Sequence, residues 1–326
     1  MDKTVHCEQH YSGIGGQAVL EGVMMKNGER YAVAVRKEDG NIVIKEETYK
    51  GILSGTSVRK IPVIRGFFAL IDSLSLGLKV TDDSASMYEA EDDAEQGSTG
   101  ETIITGLILV VSAVIAVALF ILLPYAAANF SSSVLGSKNL LVLIEGILRL
   151  AVFLIYITAI SAMKDIRRLY QYHGAEHKCI NCLESGLPLT VENAKKSTRL
   201  HKRCGSSFTM FVMLVSIILF FFIRTESHIM RIALRILLIP VISGISYEII
   251  QLAGRTSNPL VRLISAPGLW MQKITTREPD EEMIKVGMAS VEAVFDWRAY
   301  LEREFGYSPD ELTKYDALSL GGANAE

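Results

Sequence analysis

The sequence predicts an α-helical polytopic membrane protein: four transmembrane helices, plus a small α+β cytoplasmic domain built from the N- and C-terminal parts. Three observations carry this reading. Four apolar runs, at 103–123, 140–163, 205–223 and 232–252, each approach the roughly 20 residues needed to cross a hydrocarbon core. The mean hydropathy is +0.29 with 49% apolar residues, more than a soluble chain of this size carries unless part of it faces lipid. The connections also alternate in charge. The segment between the second and third runs holds Lys164, Arg167, Arg168, Lys178, Lys195, Lys196, Arg199, Lys202 and Arg203, whereas the one between the first and second holds only Lys138. By the positive-inside rule the basic segment 164–207 is cytoplasmic, and so are both termini. The connection before the fourth run, with Arg224, Glu226 and Arg231, runs mildly against the rule.

The elements follow in order. Residues 1–80 read as a cytoplasmic β-rich part ending in an amphipathic segment. Strand-like runs at 31–36 and 42–47 flank Glu38-Asp39-Gly40-Asn41, which is hairpin turn chemistry. Before them, the glycine-rich run 13–25 has no helix-opening context for a phosphate loop and reads as a strand approached closely by other backbone. Residues 61–80 are apolar but carry Arg65, Asp72 and Lys79, which suits an amphipathic segment at the membrane surface or under a domain, not a span. Residues 81–101 are acidic and read as a solvated linker. Residues 102–252 form the four-helix domain with its histidine-bearing loop. Residues 253–326 read as a cytoplasmic helical part, with a buried stripe of Met283, Val286, Met288, Val291, Val294 and Phe295 opened by the capping run 275–280.

The net charge of −3 implies no large basic surface, so nucleic acid is not expected as a partner. Cys7, Cys179, Cys182 and Cys204 sit in no secretory framework and read as reduced thiols or metal ligands.

The chemistry concentrates in the loop between the second and third runs. His173-Gly-Ala-Glu176-His177 places two imidazoles four residues apart, on one face of a helix, the spacing that lets both grip one metal. The order His-x-x-Glu-His is that of the inverted zincins, with the glutamate acting on water. His201 lies in the same loop, and Glu248 falls in the fourth run near the same membrane face. A carboxylate inside a span is costly and is by default functional. The expected site is therefore His173, His177, His201 and Glu248 as ligands of a divalent metal, zinc by preference, with Glu176 as base. Plainer readings exist for each part. The histidines could lie on a basic helix that meets lipid headgroups, and Glu248 could pair with Arg255. Cys179, Cys182, Cys204 and His201 could form a structural zinc knot. At the opposite face, Glu145 and Arg149 read as a neutralising pair one turn apart, with Arg235 a third member.

The segments 15–26, 165–178, 189–193 and 201–208, together with Tyr247-Glu248 and 275–280, resemble the bacterial YqhQ-like membrane family, domain of unknown function 1385, over nearly the whole chain. One departure is Lys202, which stands where a proline is expected. The resemblance implies a bacterial inner membrane protein, and members of that family are commonly labelled metal-dependent enzymes without an established reaction. The expected function is a membrane-embedded metal-dependent hydrolase with its site at the cytoplasmic interface. Its substrate would be a membrane protein or a lipid-linked ester, with lipid around it and homo-oligomerisation open. The competing reading is a non-catalytic scaffold or biogenesis factor, because a hydrolase does not obviously need the patterned segments 15–26 and 275–280.

Overall fold

A computed structural model of the chain describes residues 10–89, 99–130, 138–223, 225, 227–255 and 258–318. Cys7, residues 90–98 of the expected acidic linker, Arg224, Glu226 and the last eight residues lie outside the described set.

Four strands, β1 (Ile14–Val19), β2 (Gly22–Asn27), β3 (Arg30–Arg36) and β4 (Ile42–Thr48), form one antiparallel meander in the order β1-β2-β3-β4. The glycine-rich run is thus a hairpin and not one strand. Its turn, Leu20-Glu21, lacks a turn residue, and Glu21 takes φ 48° without the help of glycine. Close approach is nevertheless what its glycines serve: a Cβ on Gly22 would lie 2.3 Å from the Ala34 carbonyl oxygen.

Both faces of the sheet are covered, so β2 and β3 read as continuous apolar runs without strict alternation. On one face Val19, Met24, Tyr31, Val33 and Val35 pack with Leu76 and Val80 of α1 (Ile64–Tyr88). The expected amphipathic segment is therefore the start of a 25-residue helix that runs through residues expected to be linker. On the other face Val23, Met25, Ala32 and Ala34 meet two helices from distant parts of the chain. Their contributions include Tyr172, Ala175 and Ile180 from one, and Met283, Ile284, Met288 and Val291 from the other.

The remaining helices are α2 (Thr99–Val117), which passes through a π-helical turn into α3 (Leu123–Phe130), then α4 (Lys138–Ile160), α5 (Lys164–Glu184), α6 (Val191–Lys196) and α7 (Gly205–Phe222). They continue with α8 (His228–Leu237), α9 (Ile239–Arg255), α10 (Pro259–Thr275), α11 (Glu281–Val294) and α12 (Trp297–Phe305). The two helices on the second sheet face are α5 and α11. The expected stripe from Met283 to Val294 lies on α11, which ends at Phe295-Asp296 before α12, and Asp280 caps α11 by accepting from the Met283 N–H at 2.8 Å. Asp280→Ala should cost about 1 kcal/mol, read as a lowered unfolding midpoint in detergent.

Three helical stretches among the described residues are long and apolar enough to cross a membrane: Val110–Ala128, Leu140–Ile160 and Gly205–Phe222. The fourth apolar run does not make one such helix. It divides at Leu238 into α8 and α9, and its apolar part is the shorter Ile239–Gly254. Pro240 has no N–H to carry the ladder across that junction. Helix α10 packs along α7, where Met271 joins Phe153 and Met210 in one cluster. Gly66 of α1 meets Gly244 and Tyr247 of α9, which joins the sheet layer to the apolar helices.

Candidate metal centre

Helix α5 has two jobs. Tyr172, Ala175, Cys179, Ile180 and Leu183 fill the core under the sheet, and the neighbouring stripe carries His173 and His177. Their rings stack edge to face with centroids 4.4 Å apart. The third member is Cys204, at the N-cap of α7, where its sulfur accepts from the Ser206 N–H. One ligand atom each from His173, His177 and Cys204 all lie within 4.8 Å of one another.

The histidine tautomers are fixed from outside. His173 Nδ1 donates to the Thr275 carbonyl at 2.8 Å, and His177 Nδ1 donates to the Arg199 carbonyl at 2.6 Å. Both Nε2 atoms are thereby the ones available to a metal, the arrangement by which metal-binding histidines are usually oriented. His173 Nε2 lies 3.1 Å from Cys204 Sγ, and His177 Nε2 is buried with no hydrogen-bond partner among the described residues. A buried imidazole nitrogen left without a partner is costly unless something binds it.

The charges agree with the geometry. Burial alone would lower the His173 pKa, but the charge and hydrogen bond of the Cys204 sulfur, with Glu176 and the Thr275 carbonyl, together outweigh it and push it up to about 9. Burial alone would raise the Cys204 pKa, but the two imidazoles hold the thiol well below its ordinary range. The sulfur and the imidazole thus each favour the other's charged form. Glu176 is buried beside them, and burial raises its carboxyl above the usual range against the pull of His177 and His173. Gly16 of β1 makes the space it occupies: a Cβ there would lie 2.7 Å from Glu176 Cγ.

Of the residues the sequence singled out, His173, His177 and Glu176 come together. His201 is adjacent, its ring 5.5 Å from that of His177, but its Nε2 faces Glu184 at 3.5 Å and Arg203 at 3.4 Å. Glu248 stands elsewhere. Its carboxylate accepts from Arg65 Nε at 2.7 Å and from the Val63 N–H at 3.2 Å, holding the strained start of α1 at φ 69°. Cys179 and Cys182 face core carbonyls, those of Ile284 and of Leu187 and Pro188. Burial pushes both thiols up, Cys182 to about 12, so neither resembles a ligand in waiting.

Contacts within the histidine loop and from segment 275–280 support this centre. Lys178 donates to the carbonyls of Lys195 and Ser197, and Asn181 to those of Thr198 and Leu200, which clamps the approach to Cys204. Thr275 supplies the carbonyl to His173, Thr276 accepts from Arg199, and Glu278 pairs with Lys178. Gln272 bridges the backbone of His201 to Ser207.

A family model described as "Protein of unknown function (DUF1385)" matches residues 61–297. The chain belongs to that family. It is 36% identical over 299 residues to "Uncharacterized protein YqhQ" of Bacillus subtilis (strain 168), a match that covers 89% of this chain and 94% of the relative. No solved structure matches.

Proposed function

We propose that the chain is a membrane-embedded, metal-dependent hydrolase whose centre is held by His173, His177 and Cys204, with Glu176 as its proton-transferring group. The observation that carries the reading is the convergence of three ligand atoms around an unpartnered, buried His177 Nε2. Two imidazoles and a thiolate suit a zinc-like divalent ion, and three protein ligands are the number found in catalytic sites with an open position. Such an ion, when bound, supplies Lewis acidity and makes water acidic enough to react near neutral pH. Glu176 holds or releases a proton beside it, and its raised pKa brings that exchange closer to the working range. His201 and Glu248 are not needed as ligands in this reading. In this reading the centre lies on the cytoplasmic side of a bacterial inner membrane, with both termini on that side, which the positive charge of segment 164–207 supports. Ester- or peptide-bearing membrane molecules are then the natural substrates.

A second reading has one observation in its favour. The carbonyls of Thr275 and Arg199 and the cap of α7 all converge on the same ligands, so a metal there would also staple three segments together. This is the scaffold reading, with a closed structural ion.

Cobalt substitution tests both. Wild-type protein purified without chelators should hold about one equivalent of metal. Its cobalt form should show a thiolate charge-transfer band that Cys204→Ser abolishes. His177→Ala should lose the metal and Glu176→Gln should keep it. Acetohydroxamate should perturb the cobalt spectrum if one position is open, and leave it unchanged in a closed structural site. Protein that holds no metal would end the hydrolase reading and leave a scaffold without an ion. Because the His173 proton must leave, affinity should fall about tenfold per pH unit below about 9, measured by competition with a chelator at several pH values.

A further inference from the structure

At the other end of α7 lies a second built cluster. Phe220 is sixteen residues beyond Cys204, which puts it roughly 24 Å from the metal centre at 1.5 Å per residue. Glu145 of α4 is buried there. Its Oε1 accepts from Arg149 Nη2 at 2.7 Å and from Arg235 Nη1 of α8 at 2.8 Å, and its Oε2 accepts from Arg235 Nη2 at 2.9 Å. The Phe220 ring lies under both guanidiniums, at 5.7 Å from Arg149 Cζ and 5.0 Å from Arg235 Cζ.

The triad does not neutralise itself. Two arginines against one glutamate leave one positive charge among side chains that are only 13%, 16% and 6% exposed, Arg149 within the span-length stretch Leu140–Ile160. Arg149 Nε is buried and finds no acceptor among the described residues. The flanking sequence adds more cations than anions. Segments 138–149 and 224–235 together hold five lysines and arginines, against Glu145 and Glu226 alone. An uncompensated cation at such a depth is costly, and its side chain leans along the helix toward the membrane face where headgroups lie. Guanidinium groups match phosphate oxygens well. Both Nη atoms of Arg235 and Nη2 of Arg149 are taken by Glu145, which leaves the Nε side of Arg149 as the donor edge without an acceptor among the described residues.

We propose that Glu145, Arg149, Arg235 and Phe220 form a phosphate-binding site at the membrane face opposite the metal centre, filled by a phosphate group of net negative charge, carried by a lipid headgroup or free in solution. The site is independent of the metal reading, because neither its residues nor its test involves the histidines.

The test uses the purified full chain in a neutral detergent, with dioctanoyl phosphatidic acid as anionic probe, dioctanoyl phosphatidylcholine as zwitterionic probe, and inorganic phosphate. Wild type should bind phosphatidic acid well above phosphatidylcholine. Arg235→Gln leaves a neutral Glu145–Arg149 pair and should weaken phosphatidic acid at least about tenfold, the scale of one charge-assisted hydrogen bond. Arg235→Lys should weaken it less. Glu145→Gln raises the local charge and should tighten binding, a direction that a merely structural triad does not produce. Competition by millimolar inorganic phosphate assigns the site to a free anion, and its failure assigns it to the lipid headgroup; both support the phosphate chemistry. Equal binding of the two lipids, or unchanged affinity in Arg235→Gln, would overturn it. Should Glu145→Gln fail to fold, the contrast between Arg235→Gln and Arg235→Lys decides the matter alone.

Discussion

Gly174→Ala should destabilise the protein by about 3 kcal/mol or more, at the upper end of what overpacking costs, and should loosen the metal centre with it. Gly174 sits between His173 and Ala175 on α5, where the Arg277 backbone crosses the helix. A Cβ there would fall 2.0 Å from the Arg277 carbonyl oxygen and 3.3 Å from Pro279 Cδ. Backbone is on the other side of this contact, so no flexible side chain can turn away. The segment is also pinned, since the Arg277 N–H donates to the Tyr170 carbonyl at 2.8 Å and Thr275 accepts from His173 two residues earlier. Alanine must push 275–280 off the helix or bend α5 in the middle of the core. Either movement takes the Thr275 carbonyl from His173 and releases its tautomer, a loss of orientation that typically costs 10–100-fold in metal affinity. Thermal unfolding in detergent and a chelator titration measure the two effects. Gly205→Ala is the control, because nothing lies within 4 Å of a Cβ at that position. It should leave both readings near wild type, and a Gly174→Ala protein that behaves like it would remove the close crossing from the account.

The same crossing shows what could be read from the sequence and what could not. The i, i+4 spacing of His173 and His177 is a local property of a helix, and it survived into three dimensions. The strand pattern at 31–36 and 42–47 did so for the same reason. Cys204 was visible as a residue, but its role depends on the approach 195–200 being clamped by Lys178 and Asn181, which is a tertiary fact. Its position directly before an apolar helix was the available signal, since a side chain at an N-cap faces the helix end and not the helix surface. Glu248 was misdirected by the same limit. A carboxylate in an apolar run needs a partner, and Arg65, nearly two hundred residues away, could not be assigned to it without the packing of α1 on α9. The hairpin at 14–27 escaped because Leu20-Glu21 carries no turn chemistry. The fourth span is not confirmed as one helix, because the apolar run was counted by length, while Leu238 and Pro240 divide it into α8 and α9.

Arg203→Ala should cost about 3–5 kcal/mol at neutral pH, because it leaves a buried carboxylate unpaired, and it should alter the acid stability of the protein. Glu184 ends α5, nearly fully buried, and ties three segments together. One of its oxygens accepts from Arg203, from the Ser12 N–H at 3.0 Å and from the Ser12 hydroxyl at 2.8 Å, while the other faces His201 Nε2 at 3.5 Å. Burial alone would raise the Glu184 pKa. The hydrogen bond and charge of His201, then Arg203 and the Ser12 backbone, outweigh it and hold the carboxyl at about 2. Burial in turn lowers the His201 pKa, so near neutral pH Arg203 is the standing counter-charge. The folded pKa lies below the unfolded value of 4.5, so the carboxylate's stabilisation is fully present above about 4.5 and is lost as pH falls toward about 2. For a shift of this size the loss is on the order of 3 kcal/mol. Glu184→Gln removes the titrating group while keeping an oxygen for Arg203, and its stability should be flatter than wild type across that window. Arg203→Ala should already be destabilised at pH 7 and should lose less on acidification, because its Glu184 pKa has moved back toward the unfolded value. Unfolding midpoints of the three proteins between pH 7 and pH 2 separate these outcomes. Parallel curves for wild type and Glu184→Gln would show that another group carries the acid sensitivity, and a near-neutral Arg203→Ala would show that His201 and Ser12 suffice to hold the carboxylate.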